Sequence, residues 1–165
     1  MLKVGFIGVG NTGNQIAALC QENLEIPVIA INSSEKDLDT IPEGIKRFLI
    51  TDEKGDSQGA GKNRTLAKSY LKDSIMNLMQ DKDMNDFCSG LEVVFICGST
   101  GGGTGSGVTP LLLTALSQVY VDTLFILIGI GPVESEALTA QVNTLEYLKE
   151  LYNNMPNVHY MLYDN

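Results

Sequence analysis

The chain has 165 residues, 44% hydrophobic and 19% charged, which suits one domain with a buried core. Its 11 Lys and Arg against 20 Asp and Glu give a formal charge of -9, which repels phosphate backbones at long range and argues against direct nucleic-acid binding. No stretch reaches the ~18 apolar residues of a membrane span, Met1–Val9 lacks the apolar core of a signal peptide, and Cys20, Cys88 and Cys97 read as buried thiols rather than disulfides, so a cytoplasmic protein is expected.

Val4-Gly5-Phe6-Ile7 reads as a short buried strand. From Asn14 to Leu24, the positions of Ile16, Leu19, Cys20 and Leu24 fit one face of a helix. Ile26–Ile31 reads as a second strand, Asp37-Leu38 as part of a short helix, and Ile45–Ile50 as a third strand. Polar Thr51–Asn63 reads as a loop, and from Arg64 the spacing of Leu66, Tyr70, Leu71, Ile75, Leu78 and Met79 is helical. Leu91–Cys97 is a fourth strand. Val108–Val119 is helical with its onset near Gly105, and Thr123–Ile130 is a strongly apolar strand. Glu136–Tyr152 reads as a helix on the rhythm of Leu138, Val142, Leu145 and Leu148, and Val158–Tyr163 as a last strand. This alternation predicts an α/β fold: a Rossmann-like, three-layer parallel sheet with helices on both faces. Ligands then gather at the carboxyl ends of the strands.

Gly98–Gly107 carries six glycines in ten positions between a strand-like and a helix-like apolar run. Backbone without Cβ can lie flat against an anion and point successive N–H groups at it, and the helix that follows adds a positive dipole end. A flexible linker is the other reading of such a composition, but linkers are not normally bounded by buried-looking runs on both sides. Gly8-Val9-Gly10-Asn11-Thr12-Gly13 formally matches the dinucleotide fingerprint G-x-G-x-x-G. The acidic residue expected at the end of the second strand is replaced by Asn32, with Glu35 and Asp37 arriving late. A dinucleotide-binding oxidoreductase therefore stays open as the alternative. Gly61-Lys62-Asn63 is no P-loop, because Asn63 replaces the required Ser or Thr and Asp56 the first glycine.

Two glycine loops at one sheet edge suggest a mononucleotide held by its phosphates from two sides. The residues that do so resemble a known family. Gly10-Asn11-Thr12-Gly13-Asn14-Gln15-Ile16 resembles the first nucleotide loop of tubulins, and GGGTGSG at 101–107 is the signature of the tubulin/FtsZ superfamily. Gly59-Ala60-Gly61-Lys62-Asn63 resembles the family's γ-phosphate-sensing loop. Pro132–Leu138 is similar to the sugar-binding loop of the plasmid- and phage-borne TubZ branch, and Tyr163-Asp164-Asn165 resembles its guanine-reading strand end.

The resemblance implies a GTP-binding domain over residues 1–165. Amides of Gly101, Gly102, Gly103, Thr104 and Gly105, with the Thr104 hydroxyl, would hold the α- and β-phosphates, and Gly10, Asn11 and Thr12 would close from the other side. Ala60, Gly61 and Lys62 would meet the γ-phosphate, Glu136 the ribose hydroxyls, and Gln15 and Asn165 the guanine edge, with Mg²⁺ carried on the phosphates. Three of these have a plainer reading too: Lys62 as a solvated lysine, Glu136 as a carboxylate in the first turn of its helix, and Gln15 as an ordinary helix residue. His159, the only histidine, is expected to pack in its strand, and no nucleophilic triad can be assembled. The resemblance further implies head-to-tail filaments, a DNA-bound adaptor partner, and a water-activating acid supplied in trans from a loop beyond Asn165. This chain alone would then bind GTP and hydrolyse it slowly. A non-hydrolysing assembly module is a further alternative.

Overall fold

The computed structural model describes residues 2–155 and 157–165. Strands β1 (Val4–Val9), β2 (Val28–Asn32), β3 (Lys46–Leu49), β4 (Val93–Ser99), β5 (Leu124–Ile130) and β6 (His159–Tyr163) form one parallel sheet in the order β3-β2-β1-β4-β5-β6. The helices are α1 (Gly10–Leu24), α2 (Glu35–Leu38), α3 (Arg64–Gln80), α4 (Lys82–Ser89), α5 (Thr104–Val119) and α6 (Leu138–Asn154). The predicted architecture is the observed one.

Side chains alternate across the sheet because the strand period is two. Ile7, Val9, Ile29, Ile31, Ile96 and Leu127 share a core with residues of α3, α4, α5 and α6. Phe6, Val28, Ala30 and Cys97 pack on the opposite face with Ala17 of α1 and Leu38 of α2. Burial in these cores pushes the Cys88 and Cys97 thiols up to about 12.

Several boundaries differ from the sequence reading. Helix α1 begins at Gly10 rather than Asn14, and its glycines are set by packing rather than propensity. A Cβ on Gly13 would lie 2.2 Å from the Cys97 carbonyl oxygen, so only glycine lets α1 enter between β1 and β4. Helix α4 has no counterpart in the predicted elements. The predicted apolar face of α6 points the wrong way: Leu138, Val142 and Leu145 are exposed, while Ala140, Asn143, Tyr147 and Leu151 face inward. Glu136 precedes α6 instead of lying in its first turn, and His159 is exposed on β6 rather than packed.

Pro110 sits inside α5, where it has no N–H to donate to the Ser106 carbonyl four residues back. The Arg64 guanidinium supplies that bond, its Nη2 lying 2.9 Å from Ser106 O. The same nitrogen pairs with Glu150 at 2.7 Å, and Lys68 reaches that carboxylate oxygen at 2.8 Å. The starts of α3 and α5 and the C-terminal part of α6 are thereby fastened together.

Candidate functional site

Strand order reverses between β1 and β4, and the loops leaving these two strands diverge to opposite faces. A crevice opens there, as expected at the switch point of a doubly wound sheet. It holds a cleft of about 430 Å³. Of the residues singled out from sequence, Gly10, Asn11, Thr12, Ala60, Gly61, Lys62, Gly102, Gly103, Thr104, Gly105, Glu136 and Asn165 line it. Gly101 and Gln15 do not. The Gly101 amide is taken by Ser99 Oγ at 3.3 Å, and Gln15 is exposed with its Nε2 3.4 Å from Thr40 Oγ1. Ser99, Asn32, Ser34, Asp37 and Gln58 line the cleft without having been singled out as contacts.

Two helix N-termini meet in this crevice. Gly10 opens α1 at φ +72, a left-handed conformation, and a Cβ there would lie 3.0 Å from the Gly105 amide nitrogen of α5. Neither helix has a side-chain cap. In α5 the first amide to bond back is Gly107, to Gly103 O at 3.0 Å. Among the described residues, the N–H groups of Gly102 through Ser106 have no protein acceptor, which is the usual shortfall of an uncapped helix start. These donors, with two positive dipole ends, suit an anion.

The walls leave the backbone nowhere else to go. A Cβ on Gly105 would lie 2.7 Å from both Ser99 N and Ser99 O, and one on Gly103 would lie 2.9 Å from Asn63 N. Asn32, at the end of β2, accepts from the Ser33 and Ser34 amides at 2.8 and 3.3 Å through Oδ1. Its Nδ2 is buried without a partner beside the cleft. Lys62 and Glu136 face each other there, Nζ to Oε2 at 3.4 Å, and Glu136 Oε1 accepts from Val133 N at 3.3 Å. Among the described residues no cluster of three or more His, Cys, Asp or Glu is arranged to hold a metal ion, and no helix is long and apolar enough to cross a membrane.

A doubly wound sheet with two uncapped helix starts converging at its switch point makes this an α/β domain whose crevice suits an anion. Residues 3–165 match the model of the Tubulin/FtsZ family, GTPase domain, and the chain belongs to that family. It is 30% identical over 145 residues to the tubulin-like protein CetZ of Pyrococcus abyssi, a match covering 86% of this chain and 39% of that protein. Its structure is similar to Clostridium botulinum phage c-st TubZ lacking its C-terminal tail, at a TM-score of 0.84 and 26% identity over 99% of this chain and 53% of that one. It is equally similar to a GTPγS-bound protofilament of CetZ2 from Haloferax volcanii, at a TM-score of 0.84 and 28% identity over 99% of this chain and 49% of that one. The chain thus spans about two fifths of the curated relative and about half of the solved chains.

Proposed function

We propose that the cleft binds GTP and GDP, and that this domain belongs to a filament-forming GTPase. The observation that carries the reading is the row of unpartnered amides from Gly102 to Gly105 facing the uncapped start of α1. Phosphates would sit between them, with Gly10, Asn11 and Thr12 on one side and Gly102, Gly103, Thr104 and Gly105 on the other. Ala60, Gly61 and Lys62 would meet the γ-phosphate. Glu136 would release Lys62 to the phosphate and accept from ribose hydroxyls, and Asn165 would take the base edge. Gly101 and Gln15 do not line the cleft and are not included in this proposed contact set. Mg²⁺ would arrive on the phosphates, where it neutralises charge developing during phosphoryl transfer.

The protein's own contribution to that chemistry is electrostatic: fixed backbone donors stabilise charge on the phosphate oxygens without reorganising. Cleavage needs a group that orients water, and we assign it to a second subunit, in keeping with the protofilament formed by the CetZ2 relative. Head-to-tail self-association extends the reading, supported by the protofilament of the CetZ2 relative, and a role in positioning plasmid or phage DNA through an adaptor protein extends it further on the resemblance of the sequence motifs alone.

The Asp37 carboxylate lines the cleft and so favours, as a second reading, a dinucleotide whose ribose hydroxyls it would accept. Native mass spectrometry of the protein incubated with GDP, GTP and NAD⁺ together separates the two. Retention of guanine nucleotide alone is expected, and retention of NAD⁺ would replace the proposal. GTP turnover measured across protein concentrations then tests assembly, because a site shared between subunits gives a steep rise.

A further inference from the structure

Behind the glycine loop, and outside the cleft, the side chain of Asn143 on α6 is buried. Its Nδ2 lies within hydrogen-bond distance of three backbone carbonyls, Lys62 O at 2.9 Å, Gly101 O at 3.1 Å and Gly102 O at 3.3 Å, one of its two hydrogens being shared between two of them. Ser106 Oγ also donates to Gly102 O. Every described peptide bond is trans, so each C=O points opposite to the N–H that follows it. A Gly101 carbonyl turned back to Asn143 therefore turns the Gly102 N–H forward. In the same way, the Gly102 carbonyl fixes the direction of the Gly103 N–H. Both residues line the cleft, and neither amide has a protein acceptor.

Glycine peptides flip readily, because no Cβ opposes either orientation. A loop of three consecutive glycines would by itself present a mixture of carbonyls and amides to a ligand. We infer that Asn143 is the positioning residue that holds this loop in its anion-binding orientation and ties it to the 59–63 loop through Lys62 O. The inference rests on the nucleotide reading of the cleft and adds to it a residue from an element that touches no part of the cleft.

The second connection gives the device a direction. Lys62 has φ +62, an uncommon conformation for a residue with a side chain. Its carbonyl is held by Asn143, while its ammonium reaches Glu136. One amide group thus binds both the loop proposed to hold the β-phosphate and the loop proposed to meet the γ-phosphate, so a shift of either is felt by the other and by α6.

The test is calorimetric titration of the purified protein and of two near-isosteric variants, Asn143→Leu and Asn143→Asp, with GDP and with guanosine. Leu removes the donors, and Asp places an acceptor against three carbonyls. If Asn143 aims the amides, both variants weaken GDP by about tenfold or more and leave guanosine within about twofold, because guanosine lacks the phosphates the amides would hold. The exposed neighbour Val142→Ser should bind both ligands as wild type does, and thermal melting confirms that the variants fold. Unchanged GDP affinity in the Leu variant overturns the inference alone. Equal losses for GDP and guanosine also overturn it, by assigning Asn143 a general structural role. A wild-type protein that binds no GDP overturns the nucleotide reading, and the inference with it.

Discussion

Ser33 Oγ and Thr104 Oγ1 lie 2.7 Å apart, both residues buried, with Thr104 lining the cleft. The bond joins the end of β2 to the first residue of α5, so the hydroxyl expected to face phosphate is already oriented by a neighbour. Ser33 is fixed in turn. Its N–H donates to Asn32 Oδ1 at 2.8 Å, and its carbonyl accepts from Gly59 N at 2.8 Å and from Ser57 Oγ. Three loops thereby share one serine.

Removing either hydroxyl leaves the other buried without its partner. Ser33→Ala and Thr104→Val are each expected to lower stability by about 1 kcal/mol. The double variant should cost less than the sum, because the pair then leaves together. Denaturant unfolding of the four proteins checks this, and strict additivity would contradict a direct bond.

Two glycines of the same loop should answer alanine in opposite ways. At Gly105 a Cβ meets the Ser99 backbone at 2.7 Å, whereas at Gly102 the nearest atom is a side-chain carbon 3.7 Å away. Gly105→Ala is expected to cost about 2 kcal/mol or more through overpacking, and Gly102→Ala to melt within a few degrees of wild type. Thermal denaturation followed by circular dichroism distinguishes them.

The Arg64 guanidinium serves both the Glu150 carboxylate and the carbonyl orphaned by Pro110. Arg64→Met is expected to destabilise by about 3 kcal/mol, because a largely buried carboxylate loses one of its two partners and Ser106 O loses its donor. Pro110→Ala restores an amide four residues after Ser106. Placed on the Arg64→Met background, it should recover about 1 kcal/mol.

The thiols give a pH prediction whose sign follows from burial. Cys88 and Cys97 ionise near 9.0 when unfolded and at about 12 when folded. Both stay protonated in either state below the unfolded value and so give no pH dependence there. Between 9.0 and 12 the unfolded chain releases protons that the folded chain keeps, so stability falls as pH rises through that window. Cys20 is only partly buried. A thiol reagent near neutral pH should modify Cys20 in the native protein and all three cysteines after denaturation.

The architecture was legible because β-branched strands alternate with longer helical patterns, and the cleft because two glycine clusters follow strands β1 and β4. What escaped was set by tertiary contacts. Helix α4 is short and mostly polar, yet Asp81 caps it by accepting from Asp83 N and Met84 N. That aspartate was the local sign available in the sequence. The outward turn of Leu138, Val142 and Leu145 had no such sign. Helix α6 approaches the glycine loop through small Ala140, against which a Cβ on Gly101 would lie 3.0 Å away, and through Asn143. A bulky apolar face could not come that close. Asn32 was read only as a missing acid, although its free Nδ2 beside the cleft makes it a donor.

Amides from two loops are proposed to converge on one guanine nucleotide. Residue-resolved amide chemical-shift mapping with GDP, followed by competition with NAD⁺, tests this most directly. GDP is expected to shift the amides of Asn11, Thr12 and Gly102 through Gly105, and NAD⁺ is expected not to displace it. Unmoved amides at these positions, or their saturation by NAD⁺ alone, would contradict the proposal.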